Sequence, residues 1–235
     1  MAVVLTSGGI DSTVLLYWMV KLPETFCLRV GGQQKIIALD VDYGQKTYSL
    51  TKRFVDYHVA KLDWPIVRES VKINYPLSES LKKSPAFIDT LPERNRSPLH
   101  ADYMNGWGML VLTTAAVVAS NYGMDLYIGQ HWEEPSENPH KVDRDLDFLD
   151  AWEYLRDAGG FCASDAPTLL APYLRMGMAK EDVVNLAVKF DVDLSRTFSC
   201  SYSMTGQCGV CKVCLQRESL LRERALSGEI LHADI

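Results

Sequence analysis

No stretch of this 235-residue chain approaches the roughly 20 consecutive apolar residues that a membrane-spanning helix needs. The opening residues, Met1-Ala-Val-Val-Leu-Thr-Ser-Gly-Gly9, lack the basic region and long apolar core of a secretory signal. A surplus of positive charge is also missing. The formal net charge is −6, which argues against a protein dominated by non-specific attraction to nucleic acid or to a membrane surface. The expectation is a cytoplasmic protein with no membrane partner and no direct nucleic-acid binding. Internal repeats and low-complexity tracts are absent too. What remains is ordinary globular composition, 47% apolar and 23% charged. With about 150 residues per domain as a guide, the length suits one large domain or two small ones. Such a chain can bury a substantial core without disulfides.

Hydrophobic patterning predicts strands alternating with helices. Ala2–Thr6, Lys35–Asp42 and Gly123–Gly129 are apolar runs rich in β-branched residues and bounded by turn signals, so they are read as buried strands. Ile66-Val67 is read as a short strand. Leu169–Pro172 is read as a short strand or turn. Helices are predicted over Val14–Val20 after a polar start and ending at Pro23, over 46–62, Gly108–Ser120, Phe148–Ala158, Ala179–Phe190 and Leu215–Leu226. His58 falls on the apolar face of the second helix and is expected to be a satisfied core residue. From about Ser70 to Asp102 the chain is polar and proline-rich and reads as a long loop. This alternation implies an α/β fold, a parallel sheet with helices on both faces. Ligands of such sheets bind beyond the C-terminal strand ends. Segments 6–13, 42–46 and 129–145 each follow a predicted strand and should converge there.

Ser7-Gly8-Gly9-Ile10-Asp11-Ser12 joins the first strand to the first helix. Paired glycines let the backbone turn tightly and bring its N–H groups close to an anion. The helix start adds a partial positive charge and unpaired donors. Ser7, Ser12 and Thr13 add hydroxyls. No lysine follows the second glycine, so this is not a Walker A loop. A phosphate site and a plain tight turn capped by Asp11 both fit these residues alone.

Six cysteines are unevenly spread. Cys27 and Cys162 stand alone, whereas Cys200, Cys208, Cys211 and Cys214 lie close together. In a cytosolic chain this clustering points to a metal rather than to disulfides. An all-cysteine set of four suits a closed, structural zinc site. Gly206 and Gly209 permit the turns, and Lys212 can offset part of the negative charge of four thiolates. An iron–sulfur cluster and a nucleic-acid-binding ribbon are the competing readings.

Ser7-Gly-Gly-Ile-Asp-Ser12 resembles the SGGxDS loop of the N-type ATP pyrophosphatases. Adding Asp42-Tyr-Gly-Gln-Lys46 and Thr197-Phe-Ser-Cys200-Ser-Tyr202 with Cys208-Gly-Val-Cys211 and Cys214-Leu-Gln-Arg217, the chain resembles the 7-cyano-7-deazaguanine synthase family from end to end. The resemblance implies a Rossmann-like ATP pyrophosphatase fold over residues 1–195 and a small zinc knuckle over 196–235, packed on the same domain. It implies ATP and magnesium, one structural zinc held by Cys200, Cys208, Cys211 and Cys214, and a homodimer. ATP would be held by Thr6, Ser7, Gly8, Gly9, Ile10, Asp11, Ser12 and Thr13, with Asp11 and Ser12 catalytic. The implied reaction is ATP-dependent ligation, in which 7-carboxy-7-deazaguanine is adenylated and its acyl group passed to ammonia, giving the amide and then the nitrile.

Two family elements are altered. A Pro-x-Arg-Asn element before the buried helix is replaced by Tyr103-Met-Asn-Gly-Trp107, with Arg94 and Arg96 as substitutes for its arginine. A Tyr-Pro-Asp-Cys-Arg-like element is absent from the loop 130–144. Trp132, Glu133 and Asp143 in this loop, with Tyr43 and Gln45 after the second strand, are the candidate substrate contacts: a guanine-like edge donates N–H bonds to carboxylates, and an indole can stack on the ring. Lys141 or Arg144 suits the substrate carboxylate. His131 and His140 are read as ordinary loop histidines. The departures leave open an enzyme that stops at the amide or uses another amine, even one on a protein, in a phage-defence or DNA-modification setting. A non-catalytic nucleotide-binding module is a further alternative.

Overall fold

Within a computed structural model, residues 1–26, 35–45, 47–73, 107–131, 146–160, 167–200, 203 and 205–226 are described. Trp132, Glu133, Asp143, Arg94, Arg96, Lys141, Arg144, His140, Cys27, Cys162 and the segment Tyr103–Gly106 lie outside them. The order of elements is β1 (Ala2–Leu5), α1 (Ile10–Lys21), β2 (Ile36–Asp42), α2 (Tyr48–Lys61), β3 (Ile66–Lys72), α3 (Trp107–Asn121), β4 (Asp125–Tyr127), α4 (Leu146–Leu155), β5 (Leu169–Leu170), α5 (Pro172–Arg175), α6 (Lys180–Lys189) and α7 (Lys212–Leu226). The strands pair in parallel in the order β3-β2-β1-β4-β5.

Period-2 alternation assigns the two faces of this sheet. Ala2, Val4, Ile36, Ala38 and Tyr127 join one core cluster, with α1 and with Val183 and Ala187 of α6. Val3, Ile37, Leu39, Leu126 and Ile128 join the other, with Leu112, Ala115 and Ala119 of α3 and Leu149 and Trp152 of α4. The expected parallel sheet with helices on both faces is therefore present. Because both faces are covered, β1 and the first half of β2, Ile36 to Leu39, read as continuous apolar runs rather than as alternating ones. Helix α1 is buried on nearly all sides. Among the described residues no helix is long and apolar enough to cross a membrane.

Some boundaries differ from the sequence expectation. β3 is longer than Ile66-Val67, because it pairs with β2 from Ile36↔Ile66 through Asp42↔Lys72. Its polar residues hid this, yet they are satisfied: buried Asp40 accepts hydrogen bonds from Arg68, from Ser70 Oγ at 3.0 Å and from Tyr48 OH at 2.6 Å. The first helix starts at Ile10, so the polar residues expected before it form its first turn. β4 is shorter than expected, and α7 begins at Lys212 rather than at Leu215. At Pro172 the chain starts α5, where a proline suits the first helical turn.

His58 is a satisfied core residue, as expected. Its Nδ1 meets Tyr17 OH at 3.1 Å and its Nε2 meets the Arg196 carbonyl at 3.0 Å. Burial lowers its pKa from 6.5 to about 4. The unfolded chain therefore binds the extra proton between pH 6.5 and 4, and stability falls as pH falls through that window. Full protection is present above pH 6.5. The unfolding free energy measured in urea should be lower at pH 5 than at pH 7 by about 2 kcal/mol from this group. His58→Gln should remove that difference; a variant with an unchanged pH difference would contradict the assignment.

Candidate active site and metal centre

The sheet order reverses between β1 and β4, since β2 and β3 follow on one side of β1 and β4 and β5 lie on the other. Loops leaving β1 and β4 diverge there, and such a switch point is where open α/β sheets hold ligands. The glycine loop Ser7–Ser12 leaves β1 at this point. Gly129, just after β4, lies against the start of α1: a Cβ on it would stand 2.8 Å from the Asp11 carbonyl carbon. The three segments leave the same end of the parallel sheet, and the first and third meet directly.

Within the loop, Ser7 and Ser12 brace the turn. The Ser7 amide donates to Ser12 Oγ at 3.1 Å, and the two hydroxyls are 3.2 Å apart. Gly8 has φ +73°, a left-handed conformation that favours glycine. There is also no room for a side chain, because a Cβ would stand 2.8 Å from the Thr51 carbonyl oxygen. Gly9 caps α1 without a side-chain hydrogen bond, and first-turn amides left without such a cap are the donors that helix starts offer to anions. Asp11 does not cap the helix. Its two carboxylate oxygens each take a bond from Lys180 Nζ at 2.5 Å, and its backbone carbonyl accepts Tyr173 OH at 3.2 Å. Tyr173 is fully buried, and burial raises its pKa well above 10, which keeps the phenol a donor.

Other loop residues serve the scaffold. Thr6 is buried and donates both its amide and its hydroxyl to the Leu39 carbonyl. Ile10 and Thr13 are buried, Ile10 in the core beside α1. After β2, Gln45 braces its own turn: Oε1 accepts the Tyr43 amide at 2.9 Å and Nε2 donates to the Val41 carbonyl at 2.9 Å. Tyr43 is half-buried at the same strand end. His131 is 2% exposed, so it is a buried residue at the mouth of the loop after β4, not a solvated one. A carboxylate is the kind of ligand magnesium takes alongside phosphate oxygens; both oxygens of Asp11 are held by Lys180 in this structure.

Beside the loop, Cys200, Cys208, Cys211 and Cys214 bring their sulfurs within 4.8 Å of one another. Cys208 and Cys214 Sγ are 3.9 Å apart. Four sulfurs at about 2.3 Å from one tetrahedral ion would lie about 3.8 Å apart, so the set fits a single metal ion. The amides of Cys211 and Cys214 point at the sulfurs of Cys208 and Cys211, at 3.4 Å each. Hydrogen bonds to Cys200 and Cys214 drive the Cys211 thiol far up, and a bond to Cys200 pushes Cys214 up to about 11. Sulfurs packed this closely keep protons until a cation replaces them. Phe198 packs on the cluster with Leu50 and Phe54 of α2, and its amide donates to the Gly8 carbonyl at 2.8 Å.

Lys180 is a site residue that sequence reasoning did not single out. A signal existed: it is the first residue of α6, where the helix dipole disfavours a cation. A lysine there calls for an anion nearby, and Asp11 is that anion.

Comparison with known proteins now bears on this site. A family model described as queuosine biosynthesis protein QueC matches residues 1–225. The 7-cyano-7-deazaguanine synthase of Aquifex aeolicus is 31% identical over 231 residues, covering 94% of this chain and 95% of the relative. That of a Nitratiruptor species is 30% identical over 224 residues, covering 92% and 91%. The synthase of Leptospira interrogans is 28% identical over 228 residues, covering 96% and 88%. This chain belongs to the QueC family of queuosine biosynthesis proteins.

Proposed function

We propose that the chain is an ATP-dependent carbon–nitrogen ligase that adenylates 7-carboxy-7-deazaguanine and passes its acyl group to ammonia, giving the amide and then 7-cyano-7-deazaguanine. The observation that carries this reading is the uncapped glycine loop at the sheet's switch point, in a chain of this family. A substrate carboxylate oxygen attacks the α-phosphorus of ATP and pyrophosphate leaves. Ammonia then attacks the acyl carbon, AMP departs with that oxygen, and the amide forms after loss of a proton. In a second round the amide oxygen is adenylated. AMP leaves with it, and loss of two N–H protons completes the nitrile.

The chain's own residues orient and neutralise. Amides of the loop and of the α1 start hold the leaving pyrophosphate, with Ser7 and Ser12 fixing their directions. Lys180 would exchange its bond to Asp11 for one to a phosphate oxygen, and the freed Asp11 carboxylate would hold magnesium, which would supply neutralisation of triphosphate charge. Thr6, Gly8, Gly9, Ile10 and Thr13 shape the ATP loop. Tyr43 and Gln45, with Trp132, Glu133 and Asp143, are the proposed deazapurine contacts. Residues 1–195 form the ATP pyrophosphatase-like unit and 196–235 its zinc segment; Cys200, Cys208, Cys211 and Cys214 would hold the zinc, which would cross-link that segment. The protein works in the cytoplasm as a homodimer.

The altered elements at 103–107 and 130–144 favour a second reading, in which the chain stops at the amide or joins the acyl group to another amine, including one on a protein. The test is incubation with 7-carboxy-7-deazaguanine, ATP, magnesium and ammonia, followed by mass spectrometry. AMP with the nitrile supports the first reading. AMP with the amide alone supports the second, and no AMP overturns both.

A further inference from the structure

We propose that Arg217 is the counter-charge of the four-cysteine metal centre and that, through the segment Thr197–Cys200 which it grips, it ties that centre to the glycine loop. The proposal rests on the metal and nucleotide readings above.

Arg217 lies on α7, three residues after Cys214 and thus on the same side of the helix. It is 8% exposed. Its guanidinium donates to the Leu194 carbonyl at 2.5 Å, to Thr197 Oγ1 at 2.7 Å and to Ser199 Oγ at 3.5 Å. Every one of these acceptors is neutral. Among the described residues no carboxylate pairs with it. Burial lowers its pKa to about 10, with Cys214 one turn earlier acting in the opposite direction, so it stays charged at neutral pH. A buried cation with no anion is strongly unfavourable. Four thiolates around a divalent ion carry a net charge of −2, which is the missing anion. The N-terminus of α7 adds a smaller favourable field.

The same fork has a mechanical consequence. Thr197 and Ser199, both held by Arg217, flank Phe198, whose amide bonds the Gly8 carbonyl. Cys200 follows directly and is anchored at the cluster. Arg217 and the metal thus secure the two ends of a short segment whose middle supports the glycine loop. On its other side Gly8 meets Thr51 of α2. Loss of either anchor would release one wall of this clamp.

The test compares the full-length chain with Arg217→Gln and Arg217→Lys. Bound zinc is quantified, its release to a coloured chelator timed, and ATP affinity measured by calorimetry. Arg217→Gln should release zinc about 10- to 100-fold faster, the range expected when a partner of the ligand shell is removed. Arg217→Lys keeps the charge but not the fork. It should retain zinc close to wild type while binding ATP more weakly. Unchanged zinc release and ATP affinity in Arg217→Gln would overturn the proposal. If Arg217→Gln does not fold, Arg217→Lys decides, and an unchanged ATP affinity in it would sink the clamp. A wild-type chain that takes up no zinc overturns the metal reading itself, and the proposal with it.

Discussion

Lys180→Met and Asp11→Asn should each lower AMP formation by about 100-fold or more, the scale seen when one preorganised electrostatic contact to a transition state is removed. In the free protein these side chains neutralise each other at the start of α1, with Lys180 largely buried. A purely structural pair would be repaired by exchanging its members. The double variant Asp11→Lys with Lys180→Asp should therefore regain part of its stability but none of its activity, because the cation would then stand on the wrong side of the phosphates. Measurement of unfolding midpoint beside the AMP rate separates the two roles. Activity that returns in the exchanged variant would show the pair to be scaffold alone.

Cys211→Ser should cost at least about 3 kcal/mol, or about 10 °C in melting temperature for a chain of this size. Cys211 is 1% exposed, and the sulfurs of its three neighbours surround it. A serine hydroxyl is a poorer ligand for a soft, thiolate-rich site, and without a bound ion four polar groups are left in a buried cluster. Stripping the metal with a chelator should lower the wild-type midpoint toward that of the variant, and added zinc should restore the former but not the latter. A variant that melts like wild type and shows no response to zinc would contradict a structural metal. His58 should report separately, through pH rather than metal, because its partners are Tyr17 and Arg196.

Much of the architecture is legible in the sequence because both sheet faces are covered. Ala2–Leu5 and the first four residues of β2, Ile36 to Leu39, had to be apolar, and such runs between turn signals have few other readings. β3 escaped detection beyond Val67 because its Arg68 and Ser70 are satisfied by Asp40, a partner 28 residues away from Arg68 in sequence. Local patterning carries no trace of such a bond. The site divides in the same way. The glycine loop and the cysteine spacing are local signals. By contrast, Lys180 meets Asp11 across 169 residues, and Arg217 meets Leu194 across 23. Gln45 could be placed at the strand end from sequence, but its use as a brace for its own turn depends on backbone direction. Asp11 likewise stood in a capping position by sequence alone; the lysine delivered by α6 draws it away.

Carboxylate adenylation is the central claim, and oxygen tracing tests it most directly. 7-Carboxy-7-deazaguanine labelled with ¹⁸O at both carboxyl oxygens would be converted with ATP and ammonia, and the phosphorus products read by mass spectrometry and ³¹P NMR. Direct attack on the α-phosphorus predicts one ¹⁸O in the AMP released with the amide and the second in the AMP released with the nitrile, with none in pyrophosphate. Label in inorganic phosphate, or label-free AMP beside converted substrate, would contradict the account.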